Sequence, residues 1–142
     1  MEIDYSKIPQ NYVYCMSAHC PEAGTCLRHL ATQAVPATTK QFTVVNPEAY
    51  LGADGRRLCY QTSEPQHIAL GMRHMLRQVK AGDAALLRAQ FIACFGRNKY
   101  YRMRNGEHAI TPDMQQQVAD LFARHAPYVS VTFDAYCDEV LF

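Results

Sequence analysis

Apolar residues recur at spacings of three and four through the middle of the chain, and that period predicts helices. Ile68, Met72, Met75, Leu76 and Val79 share one face, with Arg73, Arg77 and Lys80 on the other side. A second helix is expected from an N-cap at Asp83, burying Leu86, Leu87, Phe91, Ile92 and Phe95. Gly96 is placed to end it in a left-handed conformation. A short basic helix over 97–105 would stop at Gly106. Thr111 as N-cap, Pro112 at the first helical position and Asp113 in the first turn open a fourth helix. Met114, Val118, Leu121 and Phe122 form its apolar face, and Pro127 stops it.

Strict alternation appears over residues 128–133. Val129, Val131 and Phe133 point one way and Tyr128, Ser130 and Thr132 the other, which predicts a strand. Its expected partners are short strands at Phe42–Val45 or Leu58–Thr62. Residues 1–64 are otherwise rich in turn formers, with a turn expected at Ala53–Arg56 and a short helix over Leu27–Ala34, ahead of Pro36. The expected fold class is α+β: a helical core of three to four helices, a small antiparallel sheet and a loop-rich, cysteine-bearing N-terminal segment. Residues 1–64 would form that segment and residues 65–142 the helical region with its C-terminal strand, packed as one compact unit.

Composition adds boundaries. With 142 residues, 49% hydrophobic and 19% charged, the chain is neither disordered nor fibrous. Its longest apolar runs, such as Phe91–Phe95, are too short to span a bilayer, so no membrane partner is expected. The N-terminal Met-Glu-Ile-Asp-Tyr-Ser-Lys is acidic and has no apolar core. It does not read as a signal peptide, and the expected location is cytoplasmic. Net charge is only +1, but it is unevenly spread. Residues 65–126 hold nine basic and four acidic groups, while residues 127–142 hold three acids and no base.

Six cysteines are many for a chain expected in a reducing compartment, where clusters point to metal or redox chemistry rather than disulfides. Cys15, Cys20 and Cys26 are spaced Cys-x4-Cys-x5-Cys, with His29 three residues on. Pro21 and Gly24 make the second gap a tight loop. Thiolates suit a tetrahedral zinc ion, and the expected fourth ligand is Cys59, with His29 as the alternative. A metal there would pin a region with little core of its own. An iron–sulfur cluster, a reversible disulfide pair and ordinary buried thiols are the other readings of the same residues. Cys94 lies in an apolar helical run and is expected in the core; Cys137 has no evident partner.

Residues 97–104 carry four basic groups and no acid, interleaved with tyrosines. Arg97, Lys99, Arg102 and Arg104 are candidate phosphate contacts, and Asn98 and Tyr101 candidate base contacts. A solvated helix face, or an extended Lys99–Arg104, is the structural alternative. The helix before Gly96, the Tyr-x-x-x-x-x-Gly run from Tyr100 to Gly106, and the helix carrying Val118 and Leu121 resemble the lambda-repressor-like helix-turn-helix class over residues 67–126. Arg97-Asn98 is a loose match where that class opens its recognition helix with a small polar residue. The resemblance implies DNA binding.

From end to end the chain also resembles a family of small uncharacterised proteins from anaerobic gut bacteria. The carrying residues are Tyr14-Cys15, Cys20-Pro21, Thr25-Cys26-Leu27-Arg28, Val45-Asn46-Pro47, Phe95-Gly96-Arg97 and Tyr100-Tyr101-Arg102. That resemblance implies a bacterial domain of unknown function and no activity. No phosphate-binding glycine loop, nucleophile elbow or His-Glu-x-x-His occurs, so the expectation is not an enzyme. The expected function is a cytosolic, regulatory nucleic-acid-binding protein with a structural metal, zinc before an iron–sulfur cluster. A protein-interaction module meeting an acidic partner and a thiol redox sensor are the alternatives.

Overall fold

Where the sequence spaces apolar residues as one helix over 68–79, the backbone makes a strand, a turn and a short helix. The structure is a computed structural model and describes residues 2–54 and 57–142. Strand β1 (Gln66–Leu70) ends at Gly71, whose φ of +78° breaks any helix, and α2 (Arg73–Arg77) begins only after it. Then follow α3 (Ala81–Phe95), α4 (Arg97–Arg104), α5 (Pro112–His125) and β2 (Ala135–Glu139); α1 (Leu27–Gln33) precedes them all. The class is α+β, with one two-stranded antiparallel sheet among the described residues. The chain forms two compact units, Met1–Glu64 with Val140–Phe142, and Pro65–Glu139.

In the second unit β1 pairs with β2 in the register Gln66–Glu139 to Leu70–Ala135. Its other edge is bridged once, by the reciprocal pair Ala69 N–H to Ile110 carbonyl (3.0 Å) and Ile110 N–H to Ala69 carbonyl (2.9 Å). Pairing on both sides is why Ile68 and Ala69 are buried in strand rather than helix. The core gathers Met72, Met75, Leu87, Phe91, Tyr100, Met103, Val118 and Phe122 around three stacked or edge-on contacts of the Phe91 ring. Helix α5 opens as its sequence predicts: Thr111 Oγ1 accepts from Met114 N–H, with Pro112 following.

Residues 128–133 are not a strand. Their alternation is real as burial, with Val129, Val131 and Phe133 against the helical core. Among the described residues they form no strand pairing; the pairing strand is the next one, β2. Tyr128 instead serves the start of α3. Its hydroxyl accepts from Lys80 N–H (2.8 Å) and donates to Asp83 Oδ2 (2.7 Å). Helix α3 therefore starts at Ala81, ahead of the expected Asp83 cap, which sits inside the first turn. Two other expected core residues are outside: Leu86 is exposed, and so is Cys94, whose thiol faces Gln117 Oε1 at 4.0 Å. Gly96 has the expected positive φ but a ψ of 153°, extended rather than left-handed helical.

The first unit is mostly turns. Phe42–Val45 and Leu58–Thr62 are single bridges rather than strands, Tyr14 to Val44 and Cys26 to Thr62. Phe42–Val45 runs into the tight helical turn of Pro47–Tyr50, and Leu58–Thr62 opens on a turn at Leu58 and Cys59, so neither stays extended along its length. Gly55 and Arg56 of the expected turn lie outside the described residues. A small core of Tyr12, Tyr14 and Ala31 is packed by Ile3, Ile8, Val35 and Phe142.

Candidate functional site

Helix α1 organises the cysteines. Cys26 is its N-cap residue and bridges Thr62 in the segment after Cys59. Leu27 N–H donates to Gln61 carbonyl at 2.7 Å and Ser63 N–H to Thr25 carbonyl at 3.2 Å, which fixes the Cys59 loop beside the helix start. From the next position Arg28 reaches two carbonyls, Cys59 (3.1 Å, from Nε) and Val13 (2.6 Å, from Nη1). One guanidinium thus ties the segment carrying Cys15 to the loop carrying Cys59. Cys15 is also held directly: its N–H donates to Arg28 carbonyl, and its carbonyl accepts from Thr32 Oγ1 at 2.9 Å. Cys20 opens a turn closed by Ala23 N–H to its own carbonyl, which carries the chain through Pro21 and Gly24 back to Cys26.

The result is that Cys15, Cys20, Cys26, Cys59 and His29 all line one small cavity of about 10 Å³. That is space for about one water-sized sphere. Cys15 and Cys26 are buried, Cys20 and Cys59 half-buried. Burial pushes the Cys59 thiol up, and the nearby Cys15, Cys26 and Cys20 push it further, against a lowering backbone hydrogen bond. The carbonyl of Cys15 lies 3.2 Å from His29 Nδ1. A carbonyl only accepts, so Nδ1 is the donor in this contact and Nε2 is the nitrogen left to face another partner. Among the described residues no three His, Cys, Asp or Glu side chains already stand as a closed metal-holding group. The thiols surround the cavity without converging to ligand distance from one point.

The basic residues expected to bind nucleic acid are on α4, but they do not share a face. Tyr100 and Met103 point into the core. Arg97 and Arg104 both lie over the Tyr101 ring, at 5.7 and 4.9 Å from its centroid, and Lys99 turns toward Phe95 at 6.0 Å. Arg102 donates to Glu107 carbonyl, and Asn98 is exposed. Gly96 alone joins α3 to α4, shorter than the three or four residues of a helix-turn-helix connection. Sequence reasoning passed over a second set of cations. Arg73 and Arg77 of α2 line one cleft with Leu76 and Arg104, and Arg88 of α3 stands beside Leu76, Tyr100 and Arg104. The basic i, i+4 pair at 73 and 77 is the available signal, masked because the apolar spacing places both on the solvated side of one longer helix.

Among the described residues no helix is long and apolar enough to cross a membrane. No curated protein and no solved structure matches the chain. One family model does: it is described as a family of unknown function (DUF6078), and it matches residues 1–142.

Proposed function

The chain belongs to that family, whose description assigns no activity, and we propose its role from its own side chains: a metal-binding protein whose first unit is held by one thiolate-bound zinc ion. One observation carries the reading, the meeting of Cys15, Cys20, Cys26 and Cys59 around a single cavity. Space for about one small sphere suits a single ion better than a multi-iron cluster. Four thiolates would close a structural tetrahedron, with His29 Nε2 the alternative fourth donor. Protonated thiols must lose their protons to bind, so metal uptake would release protons and draw the ligands inward. A reducing cytoplasm fits six unbridged cysteines. A redox sensor is less well supported, because such a thiol needs a lowered pKa, and the half-buried Cys59 is pushed up instead.

Elemental analysis of the full chain, purified with reductant in metal-sparing buffer, tests this. About one zinc per chain is expected from a four-ligand site, with loss of the metal in Cys59→Ser. Iron would replace zinc by a cluster, and no metal would end the reading.

A second reading is favoured by the charge of the second unit. Among the described residues no carboxylate pairs with Arg97, Lys99, Arg102 or Arg104. These cations, with Asn98 and Tyr101 for base contacts, would hold nucleic-acid phosphates. Failure of both arbitrary duplex and single-stranded DNA to bind at low salt would remove it, since the non-specific electrostatic attraction is strongest there.

A further inference from the structure

Ala69 fixes which main-chain groups of the sheet point outward. Its N–H and carbonyl both go to Ile110, at 3.0 and 2.9 Å. Two residues back and on the same side of β1, the His67 carbonyl accepts from Gln115 Nε2 at 2.9 Å. Main-chain groups alternate sides along a strand, so Ile68 and Leu70 turn theirs to β2. Their partners in the register are Cys137 and Ala135. Cys137 and Ala135 therefore bond inward to β1, and Tyr136 and Asp138 direct their N–H and carbonyl groups away from it. Among the described residues no strand or bridge pairs with that outer edge, and Tyr136, Asp138 and Glu139 are exposed. The edge is also acidic. Asp138 Oδ1 accepts from His67 Nδ1 at 2.8 Å in an exposed contact, and among the described residues Glu139 has no ion pair. On the face that carries Asp138, the Tyr136 ring stacks on His67 at 5.2 Å and is still 47% exposed.

We propose that the open edge of β2 docks a basic, extended segment of a partner protein, which adds as a strand and pairs with the main chain of Tyr136 and Asp138. The site depends on neither the thiols nor the cations of α4. Two features select the occupant. To meet Tyr136 and Asp138 it must offer N–H and carbonyl groups at strand spacing, which an extended polypeptide has and a nucleic acid or a sugar does not. Charge then decides which polypeptide. In an antiparallel addition, the residue opposite Asp138 bonds to it through the main chain and projects its side chain on the same face. A Lys or Arg there pairs with the carboxylate, and another two residues away meets the exposed Tyr136 ring. An acidic segment is repelled. So is a second copy of β2, which would bring both copies' Asp138 and Glu139 onto one short ladder; charged side chains on an edge discourage such self-pairing.

The test titrates the full chain, labelled for NMR, with an end-blocked Lys-Val-Lys-Val-Lys peptide, and follows amide shifts and hydrogen exchange. Two control peptides share its length: Glu-Val-Glu-Val-Glu, and the lysine peptide N-methylated at its lysine backbone amides, which keeps the charge and removes the donors. The lysine peptide should bind and the controls should not. With free peptide at about ten times its Kd, exchange at the Tyr136 and Asp138 amides should slow about tenfold. Cys137, whose N–H already bonds to β1, should exchange slowly with or without peptide. Asp138→Asn with Glu139→Gln should weaken binding about fivefold, as loss of two exposed charge contacts. Both residues are exposed, so the fold should be kept, and the peptide controls on the unaltered chain decide the matter if it is not. Equal binding of the N-methylated peptide would overturn strand addition and leave charge attraction alone. Equal binding of the glutamate peptide would overturn the basic occupant. Slow Tyr136 and Asp138 exchange without peptide, in a chain that sediments as a dimer, would give the edge to a second copy and overturn the partner. Absence of change at β2 with the lysine peptide would overturn the site.

Discussion

A methyl group added at residue 71 would meet Asp134 Oδ2 at 2.5 Å, and the backbone there has a φ of +78°. Both facts require glycine, since an L side chain is strained at that angle wherever it points. The neighbour cannot swing away freely, because the same carboxylate receives the N–H groups that open α2. Gly71→Ala should therefore cost about 1–3 kcal/mol, read as a lower melting temperature; an unchanged one would show that Asp134 has another place to go. Tyr12 makes a different residue-scale prediction. Its buried hydroxyl donates to Gln61 Oε1 at 2.8 Å, and burial pushes the phenol up to about 12, with Arg28 pulling the other way. In the unfolded chain it would ionise near 10. Between those values the unfolded state releases a proton that the folded state keeps. The stability is intact below pH 10 and is lost as pH rises toward 12. Urea midpoints should fall across that window and fall less in Tyr12→Phe; an equal fall in both would put the titrating group elsewhere.

At the scale of elements, what could be read from sequence was what is local. The α5 start depends on Thr111, Pro112 and Asp113 and on no distant residue, and it forms as expected. Thr111→Ala should cost about 1 kcal/mol in the unfolding of the second unit, while Thr111→Ser, which keeps the accepting oxygen, should cost less. Equal costs would mean that the hydroxyl is not the cap. The strands were harder for a physical reason. Alternation in residues 128–133 correctly reports which side chains are buried, but a strand needs a partner, and β1 is already paired by β2 and bridged by Ile110. The residues of β1 were hidden because Ile68 and Met72 happen to lie four apart across the break at Gly71, so two elements counterfeit one helical face. Cys94 shows the limit of composition. It sits in an apolar run, yet α3 buries only Leu87 and Phe91 fully, and the run is longer than the face that needs it.

Across the molecule, the two candidate sites differ in how legible they were. The thiols could be picked out because few residue types bind soft metals, and a turn-rich spacing of four and five residues can return the chain to one place. What sequence did not show was the device that brings in Cys59, the Arg28 guanidinium binding the carbonyls of Val13 and Cys59. The arginine cleft was not legible, because three helices supply it and only their packing brings Arg73, Arg88 and Arg104 together.

The two units also differ in what holds them. The second has a core of Phe91, Phe122, Met72, Met75 and their neighbours, whereas the buried core of the first, among the described residues, is the smaller set Tyr12, Tyr14, Leu27 and Ala31 beside its cysteines. A unit with so little apolar core needs another source of stability, and a bound metal is a common one. If the first unit holds the proposed zinc, removing it from the full chain with a chelator should therefore act unequally. Amide hydrogen exchange should accelerate in α1 and at the hydrogen bonds of Leu27 and Ser63, by tenfold or more for each ~1.4 kcal/mol of lost protection. Exchange in α3 and α5, whose hydrogen bonds lie over the Phe91 and Phe122 core, should stay as it was. Equal acceleration in both sets would mean that the chain unfolds as one and the metal does not act locally. No acceleration in either would mean that the tyrosine core and the Arg28 clamp suffice without an ion.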